Sequence, residues 1–595
     1  MIQYQITSRN PASHYFDVTI RIEKPDPSGQ ALRLPNWIPG SYMIRDFARN
    51  LIELRAHDDS GELGVEQIDK SNWRVAAGAG ALTVDYRVYS KDLSVRAAHL
   101  DDTHGYYNGS SVFLEVLGQS ELPCEVLIER PAPPYCADWR VATSLARKQA
   151  EAFGFGLYQA FDYDDLIDHP VEMGEFVHYD FEACGVPHDI VLTGRFECDG
   201  DRLCADLKKI CEHHIQFFGE PAPMDYYLFQ VMVVGDGYGG LEHRSSTSLV
   251  ASRAGLPKPG QDKIDDDYRD FLGLCSHEYF HTWNVKRIKP AVYQPYDLQG
   301  EVYTDLLWAF EGITSYYDDL ALLRCGLIDT ESYLELLAQT MTRVQRGRGR
   351  QRQSAAESSF NAWTRFYKQD ENAANAIVSY YAKGCLIAAC IDLKMRSLSG
   401  GEKSLDDVMS RLWQEYLEHA PGVEPDRIQQ LVNEISGQDL GEFLHAAIYG
   451  TGDLPLAVLL DSVGVDVIQR PASNLQDKGG KEPNGELPRV DFGAMLKAEN
   501  SGLAIQRLSE EGSAQLAGLA AGDQIVAVDG LRLDLAQFEN KLLRAEPGDF
   551  WYLHAFRRDE LRLFEVEMQA AEANTIVLKV GGSHEEARRA WLHAE

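Results

Sequence analysis

Apolar side chains recur at every second position near the start of this chain and at helical spacing through its middle, so no single kind of layer can accommodate it. Phe16, Val18, Ile20 and Ile22 face one way while Asp17, Thr19, Arg21 and Glu23 face the other, and Leu82, Val84, Tyr86 and Val88 repeat the pattern. That is the period of a strand with one buried and one wet face. Frequent turn residues through about residue 170 then predict an antiparallel β domain. From about residue 200 the period lengthens. Leu203, Leu207, Ile210 and Ile215 are spaced for a helix, residues 226–234 form a strand-like run, and helical patterns continue to about residue 450.

A chain of 595 residues is too long for one core, and about three or four domains are expected. The patterns predict an α+β multidomain protein: a β domain over 1–170, a mostly helical catalytic domain over 171–460, a linker or loop over 461–488, a small module over 489–572 and a tail over 573–595. Residues 471–488 collect Pro, Gly, Asn, Lys and Asp, which marks the linker. In the module, Gly522-Asp523 turns into a strand where Ile525 and Ala527 face opposite to Val526 and Val528. Asp529-Gly530 closes a tight turn, and a helical pattern runs from Leu535 to Leu543.

The net charge of -34 repels phosphate backbones and anionic membranes, so neither nucleic acid nor membrane is an expected partner. Residues 1–25 lack a basic stretch followed by an apolar run, and no window is long enough to cross a bilayer. The expectation is a soluble, cytoplasmic protein. Ten scattered cysteines lack the short spacings of a zinc chelate and are read as reduced, Cys385 and Cys390 packing in a helix. Arg343, Arg346, Arg348, Arg350 and Arg352 cluster without interleaved aromatics and are read as a solvated loop, with capture of a substrate C-terminus as the alternative.

The chemistry concentrates in His277-Glu278-Tyr279-Phe280-His281. Two histidines four apart on a helix share a face, with Cβ atoms about 5–6 Å apart, so both imidazoles can reach one ion. Glu278 is rotated away from the metal yet stays near a bound water, the position of a general base. The bland alternative is a pair of core histidines. A catalytic zinc needs a third protein ligand and an open position. Glu311 is the candidate, because an acid within the apolar run 307–317 demands a partner. Lys286 and Arg287 follow the motif and stay unassigned between cleft lining and helix capping.

With these residues assembled, the chain resembles the glycyl aminopeptidase family of gluzincin zinc metallopeptidases. The likeness runs through WIPGSYMIRDFARN (37–50), GGLEH (239–243), HEYFHTWNVKRIKP (277–290), residues 308–317 and YYAKG (380–384). Glu311 lies 30 residues after His281, the long gap of this family rather than the shorter one of the aminopeptidase N group. On physical grounds alone, residues 37–42 are a structural turn.

The resemblance implies a thermolysin-like catalytic domain and one zinc ion held by His277, His281 and Glu311. It implies that Glu242, beside Gly239 and Gly240, binds the free α-amine of a peptide, and that Tyr381 donates to the oxyanion, with Tyr380 as its competitor. It further implies an aminopeptidase preferring small N-terminal residues such as Gly or Ala. An endopeptidase, or a non-catalytic adaptor with a vestigial site, are the alternatives. Gly235 to Gly240 could also be only a flexible loop. The module at 489–572 resembles a PDZ domain, which implies a peptide or protein C-terminus as a possible partner.

Overall fold

The protein is described here by a computed structural model covering residues 1–134 and 136–593. Its contacts separate two compact units, Met1–Val302 with Tyr416–Gly422 and Tyr303–Glu415 with Val423–Glu595.

In the first unit the period-two segments are strands. Tyr15–Ile22 buries Phe16, Val18, Ile20 and Ile22 and pairs antiparallel with Ile2–Thr7 and Leu82–Tyr89 inside an eight-stranded sheet. The antiparallel expectation fails at one place: Ile2–Thr7 runs parallel to Cys124–Ile128. Parallel neighbours need a long crossover, which the intervening chain supplies. Two four-stranded sheets add to the domain, and one core runs through it from Ile2 to Met173.

A five-stranded sheet follows, in the spatial order Val177–Ala183, Val186–Thr193, Tyr227–Val234, Ser246–Ser252 and Tyr238–Glu242. The last of these is an edge strand, so residues 238–242 are not a flexible loop. The helix Gly200–Phe218 buries Leu203, Leu207, Ile210 and Ile215 and packs on the helix Asp266–Phe280. Asp265 caps the latter by accepting from the Tyr268 N–H, and Asp266 and Asp267 complement the dipole of its first turn. Buried polar pairs fix the contact: Tyr268 donates to Asp206 at 3.0 Å, and His214 Nε2 lies 2.9 Å from Ser276 Oγ.

In the second unit, the helices Gly312–Arg324 and Tyr380–Ser399 meet at paired glycines. A Cβ on Gly312 would stand 2.4 Å from the Gly384 Cα. Only two residues without side chains allow that approach.

The loop expected over 461–488 holds a strand at Val465–Arg470, and only residues 471–488, where Pro, Gly, Asn, Lys and Asp collect, carry neither helix nor strand. The expected tail is not one. Thr575–Val580 returns to pair with Val465–Arg470, and the helix Glu585–Leu592 buries Trp591, whose indole N–H donates to the Tyr316 hydroxyl at 2.8 Å.

Between these lies an antiparallel five-stranded sheet with its own core around Phe492, Phe538, Trp551 and Leu553. Its strand Gln524–Val528 breaks the expected alternation: Ile525 and Val528 are both buried, because the register shifts between Ile525 and Ala527. A bulge inserts one residue and reverses the faces beyond it.

The arginine cluster is not solvated throughout. Arg346 donates to the Asp477 carbonyl and Thr575, Arg348 pairs with Glu572, Arg350 with Asp453 at 2.9 Å, and Arg352 with Glu510. Four of the five arginines thus tie this part of the unit to its C-terminal part, where their partners lie far along the chain. All ten cysteines are free thiols. Among the described residues no helix is long and apolar enough to cross a membrane.

Candidate active site

The helix Asp266–Phe280 delivers His277 and Glu278 in its last turn, and His281 is its C-terminal cap. The two histidine Nε2 atoms converge to 3.1 Å, with ring planes 87° apart. His281 Nδ1 donates to the Asn284 carbonyl at 2.7 Å, which leaves Nε2 presenting its lone pair. Ligand atoms of Glu242, Glu278 and His281 lie within 4.8 Å of one another, all three side chains buried. Two imidazoles and converging carboxylates, all buried but the partly exposed His277, form a donor set that fits a zinc ion.

Glu242 reaches this group from the edge strand. Alternation sends Leu241 into the core of the β domain and turns Gly240 and Glu242 to the other face. Gly240 abuts Glu278: a Cβ there would stand 2.1 Å from its Oε1. Gly40, at φ +90°, abuts Glu242, and a Cβ would fall 2.4 Å from its Oε2. Residues 37–42 are therefore more than the structural turn expected of them. Trp37 anchors the segment, its indole N–H donating to the Asp297 carbonyl at 2.9 Å, and Gly40 forms one wall around the glutamate. Gly239 precedes Gly240 on the same strand, and Arg96 donates to the Gly240 carbonyl at 3.4 Å. Glu242 is 4% exposed, and its Oε1 has no hydrogen-bond partner among the described residues.

Asp168, which no sequence pattern singles out, braces the segments on either side. It pairs with Lys286 at 2.6 Å, accepts from the Arg244 N–H at 2.9 Å and lies 3.5 Å from His243 Nδ1. Burial by itself would raise this carboxyl, but Lys286 and Arg244 outweigh it and hold it well below the usual range. Burial dominates for His243, whose imidazole is pushed toward its neutral form. Arg287 donates to the carbonyls of Arg244, Thr282 and Pro223. Lys286 and Arg287 thus brace the backbone around the motif.

The second unit holds the remaining expected residues. Glu311 sits at the junction of Leu307–Phe310 and Gly312–Arg324 and is 2% exposed. Tyr380 and Tyr381 open the helix Tyr380–Ser399, which Ser379 caps. Burial, with the negative charge of Glu311 contributing, pushes both tyrosine hydroxyls well up. Tyr380 is fully buried, whereas Tyr381 is partly exposed and has its hydroxyl 3.3 Å from that of Tyr367. Lys383 donates to the Gly450 carbonyl at 3.0 Å, and Gly384 is the glycine of the helix crossing. The Lys-Gly of the YYAKG stretch is accounted for by packing.

Residues 3–175 match the M61 peptidase N-terminal domain, and residues 270–387 match the M61 glycyl aminopeptidase domain. No curated protein matches the chain. Among solved structures, a crystal structure described as an aminopeptidase N family protein from Idiomarina loihiensis is 44% identical, has a TM-score of 0.96 and covers 100% of both chains. An M1 zinc metallopeptidase from Deinococcus radiodurans is 13% identical with a TM-score of 0.47, over 76% of this chain and 94% of that one. The two domain matches and the end-to-end likeness place this chain in the M61 glycyl aminopeptidase family, as a zinc metallopeptidase acting on peptides.

Proposed function

We propose that this peptidase is an aminopeptidase, which removes the N-terminal residue of a peptide and prefers small residues such as glycine or alanine. The observation that carries the reading is Glu242. A buried carboxylate oxygen without a hydrogen-bond partner is costly, and a substrate ammonium group would supply both charge and donors.

Zinc held by His277, His281 and Glu311 would, when bound, activate a water and polarise the scissile carbonyl. Glu278 takes the water proton and passes it to the leaving amine. Its carboxylate is confined by Gly240, so the base is oriented before substrate arrives. Glu242 pairs with the α-ammonium and thereby sets which peptide bond is attacked. Tyr381, the more exposed of the two tyrosines, donates its hydroxyl to the developing oxyanion. The size preference rests on the family resemblance. The C-terminal five-stranded module is PDZ-like in this reading and binds a peptide or protein C-terminus.

The test compares a free-amine dipeptide with its N-acetylated twin, with and without chelator. Cleavage of the free-amine peptide alone, abolished by chelator, is expected, and Glu242→Ala should erase the distinction. Equal cleavage of both peptides would instead mark an endopeptidase.

A further inference from the structure

A second group of metal-type side chains lies on another part of the first unit. Ala98–Leu100 and His104–Tyr107 form an antiparallel hairpin in which Tyr106 is opposite His99, and Val171–Gly174 runs alongside with Glu172 opposite Tyr106. Asp101 closes the hairpin, its N–H donating to the His104 carbonyl. Because side chains alternate along strands, His99, Asp101, His104, Tyr106 and Glu172 all emerge on one face. That face is turned inward: His99, His104 and Glu172 are 6%, 3% and 4% exposed.

We infer that this face is a second metal site, taking a divalent transition-metal ion through His99, Asp101 and His104, with Glu172 completing the set. Ligand atoms of the first three lie within 4.8 Å of one another, and Glu172 Oε1 is 3.3 Å from His104 Nδ1. His99 Nδ1 is buried without a hydrogen-bond partner among the described residues, while His104 Nδ1 faces the Glu172 carboxylate. A cavity of about 20 Å³, room for one water-sized sphere, is lined by His99, His104, Tyr106 and Glu172.

Charge supports the same conclusion. Asp101 and Glu172 bring two carboxylates to one face beside the two imidazoles, an arrangement of charge that a divalent cation would balance. Two imidazoles with two carboxylates suit zinc, manganese or iron better than calcium, which prefers oxygen ligands throughout. Thr103 donates to Asp101 at 2.6 Å and Thr193 to Glu172 at 2.9 Å, so each carboxylate is already oriented. The rings stack with centroids 4.8 Å apart and planes 19° apart. A nitrogen lone pair lies in its ring plane, so entry of the ion turns one imidazole out of the stack.

The test is the metal content of the full-length protein, equilibrated with micromolar free zinc, gel-filtered and read by elemental mass spectrometry. Two ions per chain are expected. His104→Ala should retain one, and so should His277→Ala, which empties the site of the peptidase motif. One ion in the unaltered protein, or two ions in His104→Ala, would overturn the inference and leave the cluster as two proton-sharing histidine and carboxylate pairs. Should His104→Ala fail to fold, the shape-conserving Asp101→Asn and Glu172→Gln replace it. A cobalt titration of these two, followed by visible absorption, should then saturate at one equivalent instead of two, and saturation at two would count against the site.

Discussion

Gly240 carries the sharpest consequence at the scale of single residues. A side chain there collides with the Glu278 carboxylate, since a Cβ would stand 2.1 Å from Oε1. Gly240→Ala should lower kcat about 10²-fold while zinc content stays unchanged, because a catalytic group displaced by about 1 Å loses its alignment. Glu278→Gln should keep zinc and lose roughly 10²–10⁴-fold in rate, measured against a free-amine dipeptide. Turnover near the parent rate in that variant would remove Glu278 from the mechanism. The HEYFH motif is legible in the sequence because four-residue spacing on a helix is local geometry. Gly40 is not, because its role depends on contact with Glu242, far away along the chain.

At the scale of elements, the helix Asp266–Phe280 is tied to the central sheet by one buried histidine. His188 Nδ1 donates to the Val186 carbonyl at 2.9 Å, and its Nε2 accepts from the Tyr279 hydroxyl at 2.9 Å. Burial pushes His188 down to about 4. Between that value and the ordinary histidine value near 6.5, the unfolded chain binds the extra proton, so stability rises with pH across this window. The contribution is complete above about pH 6.5 and amounts to about 3 kcal/mol, lost progressively on acidification to about pH 4. His188→Gln should flatten that limb of a Tm-against-pH curve. Asp168 acts on the other side of the motif, where Lys286 depends on it. Asp168→Asn strands a buried ammonium group and should cost about 3–5 kcal/mol in denaturant unfolding. A loss under 1 kcal/mol would mean that water already compensates Lys286.

For the whole molecule, the C-terminal residues decide more than a tail would. Trp591 is fully buried and donates to Tyr316, while Arg396 and Arg324 donate to the carbonyls of Ala590 and Trp591. A chain ending before residue 585 leaves these arginines without those acceptors and exposes the Trp591 socket. Its stability should fall by about 3–5 kcal/mol, the range for deleting a buried tryptophan. An unchanged melting curve for the truncated chain would refute this coupling. Composition concealed the arrangement because Arg346, Arg348, Arg350 and Arg352 look like a solvated basic loop until their partners at residues 453–575 are brought beside them.

What the sequence by itself determined is whatever depends on short-range periodicity or local chemistry. This covers the β character of the first domain, the helices beyond residue 200, the paired histidines with their glutamate, and the loop at 471–488. The acid within the apolar run at 307–317 added Glu311 as an expectation, and resemblance added Glu242 and Tyr381. Only the tertiary structure decided the parallel pairing of Ile2–Thr7 with Cys124–Ile128, the glycine walls around Glu242 and Glu278, the brace at Asp168 and the buried face shared by His99, Asp101, His104 and Glu172. Each of these joins residues distant along the chain, and such contacts leave no periodic trace because neither partner's neighbours need change to accommodate the other.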